Sequence, residues 1–244
     1  MLTSPKRADL AVPVAVALTL GLGLAVGLIN GILVAYARVP SIIVTLGMLT
    51  ALGGVTRILM AGTWIEVVPG LRSLGTGKLA GVDLCVIVAL VVIAASMILA
   101  TRTPVGRRIY AVGSNLHAAR LAGLSPRRIK LLVFALTGLL VGVATLLDAP
   151  RLPQIEAGYG RGWELFIVTA VIVGGTSISG GKGTIIGTLL AVVLLGMIGN
   201  VLTFLKLGPD AVYWERAIQG GCILLAVLAD HLGGRRRGHG EDGA

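Results

Sequence analysis

Long uncharged runs alternate with short polar segments along the whole chain. Residues 10 to 37 carry no charge, and a second uncharged run extends from Val39 to Thr56. Further runs cover 84–101, 131–147, 165–181 and 183–205, and a last apolar stretch covers about 214–232, with Glu215 and Arg216 at its entry. Roughly 20 apolar residues cross the hydrocarbon core of a bilayer as a helix, so the pattern predicts about seven spans. Between them lie a polar stretch at 61–81, the basic segment 101–130, and short connections at 148–163 and 206–213. The run G-G-T-S-I-S-G-G-K-G, residues 174–183, can break the span at 165–181, leaving a short helix and a re-entrant turn. The first run is too long for the core of a secretory signal, and no polar cleavage region follows it.

Composition narrows the class. Of 244 residues, 55% are hydrophobic and only 13% charged, about half of what a soluble surface carries. Eleven acids cannot cover a soluble domain of this length, whereas they suffice for the loops of a membrane bundle. The net charge of +10 does not indicate nucleic acid, because the basic residues flank apolar runs instead of forming a patch on a solvated domain. The expected fold is therefore all-α: a single transmembrane domain over 1–232, with a basic, polar tail at 233–244. Cys85 and Cys222 lie in apolar runs without metal-ligand spacing.

Charge also predicts orientation. Segment 101–130 holds Arg102, Arg107, Arg108, Arg120, Arg127, Arg128 and Lys130 and no acid, which marks it as cytoplasmic. Alternation then puts 61–81, 148–163 and 206–213 outside, and Arg38, Lys182 and the tail inside. The N-terminus falls outside, although Lys6 and Arg7 argue against that side.

The basic loop has local structure of its own. Ser114 or Asn115 can cap a short helix with the body Leu116, His117, Ala118, Ala119, Arg120, Leu121 and Ala122. Gly123 suits its left-handed C-terminus. Ser125 and Pro126 are a second start signal, proline being favoured at the first helical position. Such a helix can rest on anionic headgroups or dock into a groove on a partner. Within the spans, Gly27 with Gly31, Gly138 with Gly142, Gly187 with Ala191 and Gly196 with Gly199 have the small-residue spacing of close helix contacts. Intramembrane polar residues are neutral: Asn30, Thr45, Thr169 and Asn200 are candidates for a translocation path or for helix contacts, and Ser96, Thr137 and Thr188 are weaker ones. The central thirds of the spans lack ionisable groups, which argues against a proton-driven carrier. Catalytic motifs and paired carboxylates are missing as well. G-G-K-G-T at 180–184 departs from a phosphate loop, since Gly183 follows Lys182 where Ser or Thr is required.

Four ordered blocks carry a family resemblance: R-V-P-S-I-I-V-T-L-G-M-L-T (38–50), G-R-R-I-Y-A-V-G-S-N-L-H-A-A-R-L-A-G-L (106–124), G-G-T-S-I-S-G-G-K-G-T (174–184) and I-Q-G-G-C-I-L-L-A-V-L-A-D (218–230). From Gly27 onward the chain resembles the inner-membrane permease subunit of bacterial ATP-binding-cassette importers for monosaccharides, whose members include ribose, xylose, rhamnose and autoinducer-2 permeases. The resemblance implies a multi-pass protein of the bacterial cytoplasmic membrane that is not itself an enzyme. ATP-Mg would be bound by a separate cytoplasmic ATPase, and this chain would bind no cofactor. Further implied partners are a second permease subunit, the same or homologous, and an extracytoplasmic sugar-binding protein; nucleic acid is not among them. The segment Ser114 to Gly123 is similar to the coupling helix that docks into the ATPase. The family's G-G-I-D-L-S-V-G-like block and the spans around it have no counterpart here, so the chain is expected to begin partway through the family fold. The alternatives are a permease-like remnant or a membrane scaffold that assembles without transporting.

Overall fold

A computed structural model describes residues 5–67, 69–79, 81–177, 180–204, Trp214, 216–222, Leu224 and Leu228. Among them, helices dominate: α1 (Pro5–Ala35), α2 (Ser41–Met60), α3 (Pro69–Thr76), α4 (Leu84–Arg102), α5 (Pro104–Ser114), α6 (Leu116–Leu121), α7 (Pro126–Asp148), α8 (Trp163–Val173) and α9 (Ile185–Phe204). The strands are two residues long: β1 (Ile65–Glu66), β2 (Lys78–Leu79), β3 (Val82–Asp83) and β4 (Gln154–Ile155). The all-α expectation therefore holds.

Among the described residues, five helices are long and apolar enough to cross a bilayer, with apolar stretches at Val12–Ala35, Ser41–Met60, Leu84–Arg102, Pro126–Arg151 and Ile185–Leu202. The expected span at 165–181 differs. Its helix, α8, has 11 residues, about 16 Å of rise against a core of about 30 Å. The helix stops because Gly175 takes a left-handed φ of 84°. Thr176 N–H then donates to Val171 O and Gly175 N–H to Ile172 O, the paired bonds of a glycine C-cap. Thr184 opens α9 by accepting from Gly187 N–H at 3.2 Å. The expected span at 214–232, the connection 206–213 and the tail lie largely or wholly outside the described residues.

The chain forms two compact units, residues 1–109 with 116–159, and residues 110–115 with 160–244. In the first, α1 and α7 pack backbone on backbone. A methyl group at Gly27 would lie 2.5 Å from Phe134 O and 3.1 Å from Gly138 Cα; one at Gly138 would strike Gly23 O. Gly142 faces Leu20 Cα at 3.3 Å, and Gly31 faces Phe134 Cβ at 3.1 Å. Of the two four-residue glycine spacings read in the sequence, Gly27 thus meets Gly138, whereas Gly142 is approached by Gly23 and Leu20 and Gly31 by Leu131 and Phe134, the close approach that small residues permit in membranes. On the same unit β1 pairs with β4, Ile65 opposite Ile155 and Glu66 opposite Gln154. Gly75 of α3 meets the turn at Pro150 and Arg151, where a Cβ would be 2.9 Å from Arg151 N. Cys85 Sγ donates to Gly75 O and Leu147 O at 3.4 Å, and Cys85 and Cys222 are both free thiols.

In the second unit α8 and α9 form a tight pair. Gly174 lies against Thr188, where a Cβ would come within 2.6 Å of its backbone. Thr169, Ala170, Ala191 and Leu195 are buried. The expected contact through Gly196 does not form: nothing lies within 4 Å of its Cβ position.

Candidate functional site

The segment joining α4 to α7 is built by successive caps. Thr103 Oγ1 donates to Leu99 O at 2.6 Å and accepts from Gly106 N–H at 3.2 Å, so it caps α5, with Pro104 at the first helical position. Only glycine fits at 106, because a Cβ would collide with the carbonyls of Leu99 and Ala100. A helix over 104–114 is not among the elements expected in the basic segment. Its signal was present: Thr103-Pro104 repeats the start signature of Ser125-Pro126.

The last turn of α5 seats on the loop between α8 and α9. Tyr110 OH donates to Gly183 O at 3.0 Å and Ser114 Oγ to Gly181 O at 3.4 Å. Gly113 lies so close that a Cβ would be 2.7 Å from Gly181 N. Ser114 is therefore the end of α5, and the position preceding α6 belongs to Asn115, which settles the two capping alternatives by position.

The short helix α6 forms where it was expected and ends as expected. Gly123 has φ 77°; Leu124 N–H donates to Ala119 O and Gly123 N–H to Arg120 O, satisfying carbonyls that a helix end otherwise leaves bare. Ser125 and Pro126 then start α7, although the Ser125 side chain makes no cap hydrogen bond. Within α6, Ala119 is 4% exposed, whereas Leu121 is 79% and Leu116 38% exposed. His117, Ala118, Arg120 and Gly123 are exposed as well. Ala119 is thus the inward anchor of the helix and not part of its outward face.

Arg107 and Arg108 of α5 and Arg127, Arg128 and Lys130 of α7 are all exposed. Four cations, Arg38, Arg120, Arg127 and Lys130, border a cleft of about 890 Å³ between the end of α1, α6 and the start of α7, and no carboxylate lines it. Arg38 holds a φ of 58°, a left-handed conformation that a residue with a Cβ rarely adopts. Nothing in the hydropathy pattern signals this.

The four candidate path residues separate into different situations. Thr45 is exposed and its hydroxyl bonds Ser41 O and Ile42 O of its own helix. Thr169 is fully buried and donates to Leu165 O at 2.6 Å. Its hydroxyl is spent on its own helix, which makes Thr169 a packing residue. Asn200 is exposed. Asn30 stands apart: its Oδ1 is buried with no hydrogen-bond partner, which costs about 1–3 kcal/mol unless a donor arrives. Outside the spans, Tyr159 OH donates to the Asp148 carboxylate. Burial, then that bond and the negative charge of Asp148, push the phenol up to about 12, with Arg151 opposing.

Spanning helices without ionisable groups at their centres, joined by a capped basic segment, define a multi-pass membrane protein. The comparisons identify which kind. The family described as "Branched-chain amino acid transport system / permease component" matches residues 1–227, and the chain belongs to it. It is similar to the ribose import permease protein RbsC of Escherichia coli (strain K12), 38% identical over 223 residues, covering 89% of this chain and 68% of that protein. RbsC of Haemophilus influenzae (strain ATCC 51907 / DSM 11121 / KW20 / Rd) is 34% identical over 221 residues, covering 88% of this chain and 68% of that protein. The autoinducer 2 import system permease protein LsrC of Escherichia coli (strain K12 / DH10B) is 36% identical over 223 residues, covering 91% of this chain and 64% of that protein. No solved structure matches. The four motif blocks therefore pointed to the right family, and the chain is a multi-pass protein of the inner membrane.

Proposed function

We propose that the chain is the permease subunit of an ATP-driven importer that carries a monosaccharide or related polyol inward. In this reading 101–130 faces the cytoplasm and α6 docks into a separate ATPase, which binds ATP-Mg and supplies the energy. A second permease subunit, the same or homologous, completes the path, and an extracytoplasmic sugar-binding protein delivers substrate onto 61–81 and 148–163. ATP-driven closure of the ATPase pair would move α6 and rock the subunits between inward and outward openings.

The observation that carries the reading is the shape of α6. The helix is pinned by Ala119 and a glycine cap while Leu121 points outward and Leu116 borders the cleft, in a chain whose relatives are named as import permeases. An anchored helix with an exposed leucine is what a groove on a partner can accept. The pairing of segments agrees with the orientation. Two stretches read as outside meet in the β1–β4 ladder, and two read as inside meet where Tyr110 and Ser114 bond Gly183 and Gly181. Asn30 is the best-supported path residue, an acceptor awaiting a hydroxyl donor such as a sugar supplies.

The test replaces residues 114–123 with an unrelated helical sequence and measures ATP-driven uptake of ribose in proteoliposomes with the ATPase and binding protein. Uptake is expected to be lost while membrane insertion persists. Normal uptake would overturn the coupling role.

A further inference from the structure

The cleft between α1, α6 and α7 has two kinds of wall. Val34, at the end of the apolar stretch of α1, and Val39 contribute apolar surface, and Arg38, Arg120, Arg127 and Lys130 contribute charge. Its volume of about 890 Å³ lies within the range of pockets that enclose small ligands. The cleft sits where the apolar stretch Val12–Ala35 ends and α7 begins, the height at which a spanning helix leaves hydrocarbon for headgroups.

We infer that this cleft is a seat for the headgroup of an anionic phospholipid, with the phosphate held among Arg38, Arg120, Arg127 and Lys130 and the glycerol end against Val34 and Val39. Three observations favour a lipid over a soluble anion or an acidic protein segment. The cations come from three separate elements and converge on one cleft without an acid to neutralise them. The apolar part of the lining suits a molecule that is itself amphipathic. The backbone at Arg38 is held in a left-handed turn where glycine would be relaxed, yet the position carries a long cation aimed at the cleft rim. Basic pockets at the end of transmembrane helices bind anionic headgroups, each cation near the surface adding about fivefold to affinity. The inference does not depend on which sugar is carried or on which way the chain faces, so it survives failure of the functional reading.

The test uses the full chain in mixed micelles of neutral detergent with either phosphatidylglycerol or phosphatidylcholine, reading bound lipid by native mass spectrometry and melting temperature in parallel. Phosphatidylglycerol is expected to bind at least tenfold more tightly and to raise the melting temperature. Arg38→Gly and Lys130→Gln should each weaken that binding about fivefold. Arg38→Gly also relieves the left-handed strain, so without lipid it should melt no lower than the parent, separating lost binding from lost folding. Arg107→Gln combined with Arg108→Gln, outside the cleft, should leave binding unchanged. Equal binding of the two lipids, an equal loss in the Arg107 and Arg108 variant, or equally tight binding of glycerol 3-phosphate would overturn the proposal. So would cleft arginines that are shielded from chemical modification only by added ATPase subunit, which would assign the cleft to the protein partner.

Discussion

Helices α1 and α4 are both long and apolar enough to cross a bilayer, and they meet different fates. Helix α1 packs against α7 through Gly23, Gly27 and Gly31, with backbone atoms in contact. Helix α4 has no buried residue, and Leu90, Val91 and Ile98 along it are each more than half exposed. Hydropathy sorts residues into bilayer or water but does not separate protein contact from lipid contact, because lipid tails are as apolar as leucine. Small residues separate them only where a neighbouring segment meets them. Helix α2 carries Gly47, Gly53 and Gly54, and no atom lies within 4 Å of where their Cβ atoms would be. The α1–α7 crossing also supports the basic segment, since α6 packs on α7 and the basic cleft opens at the end of the pair.

The largest effect should come from breaking that crossing. Gly138→Leu drives a side chain into Gly23 O and the Gly27 backbone, and should destabilise the chain by about 3 kcal/mol or more in a micelle unfolding titration. Gly47→Ala on α2 meets no neighbour and should be neutral or stabilising by up to about 1 kcal/mol. Equal losses at the two positions would refute the distinction between packed and lipid-facing glycines.

Next in size is the α5 seat. Gly181 has φ 76° and a Cβ there would overlap Ser114, so Gly181→Ala should cost about 2 kcal/mol. Ser114→Ala removes only a long hydrogen bond and should cost about 0.5 kcal/mol. Asn30→Leu reverses the sign: removing a buried, unpaired acceptor should raise stability by about 1 kcal/mol while lowering substrate uptake. Unchanged uptake would remove Asn30 from the path.

The smallest effect concerns Tyr159 and Asp148. Tyr159→Phe should cost about 1 kcal/mol or less, since the pair is exposed and screened. Because folding raises this phenol from its ordinary 10 to about 12, its contribution is complete below pH 10 and is lost as pH rises through about 12. Ultraviolet titration should show one late-ionising tyrosine that disappears in the variant.

Much of this was legible in the sequence for identifiable reasons. Uncharged run length marked α1, α2, α4, α7 and α9, because membrane insertion depends on length and polarity alone. Gly123, Ser125 and Pro126 marked the ends of α6 and the start of α7, because caps are local chemistry. The site was less legible where it depends on distant partners. Ala119 looks like its neighbours in sequence, and only packing on α7 turns it inward. Tyr110 and Ser114 find Gly183 and Gly181 some 70 residues away, and Arg38 reaches the cleft through a left-handed turn that no composition reveals. Short helices such as α5 are lost because basic residues dominate their hydropathy, although the Thr103-Pro104 cap was readable.

The central claim is that the outward face of α6 meets the ATPase, and copurification of the ATPase with paired leucine variants tests it most directly. Leu121→Asp alters the exposed face of α6, and Leu79→Asp alters another exposed leucine, on the β2–β3 hairpin, read as lying on the opposite side. The account expects Leu121→Asp to lose the ATPase, while Leu79→Asp retains it in full. Retention by Leu121→Asp with loss by Leu79→Asp would contradict both the docking site and the orientation.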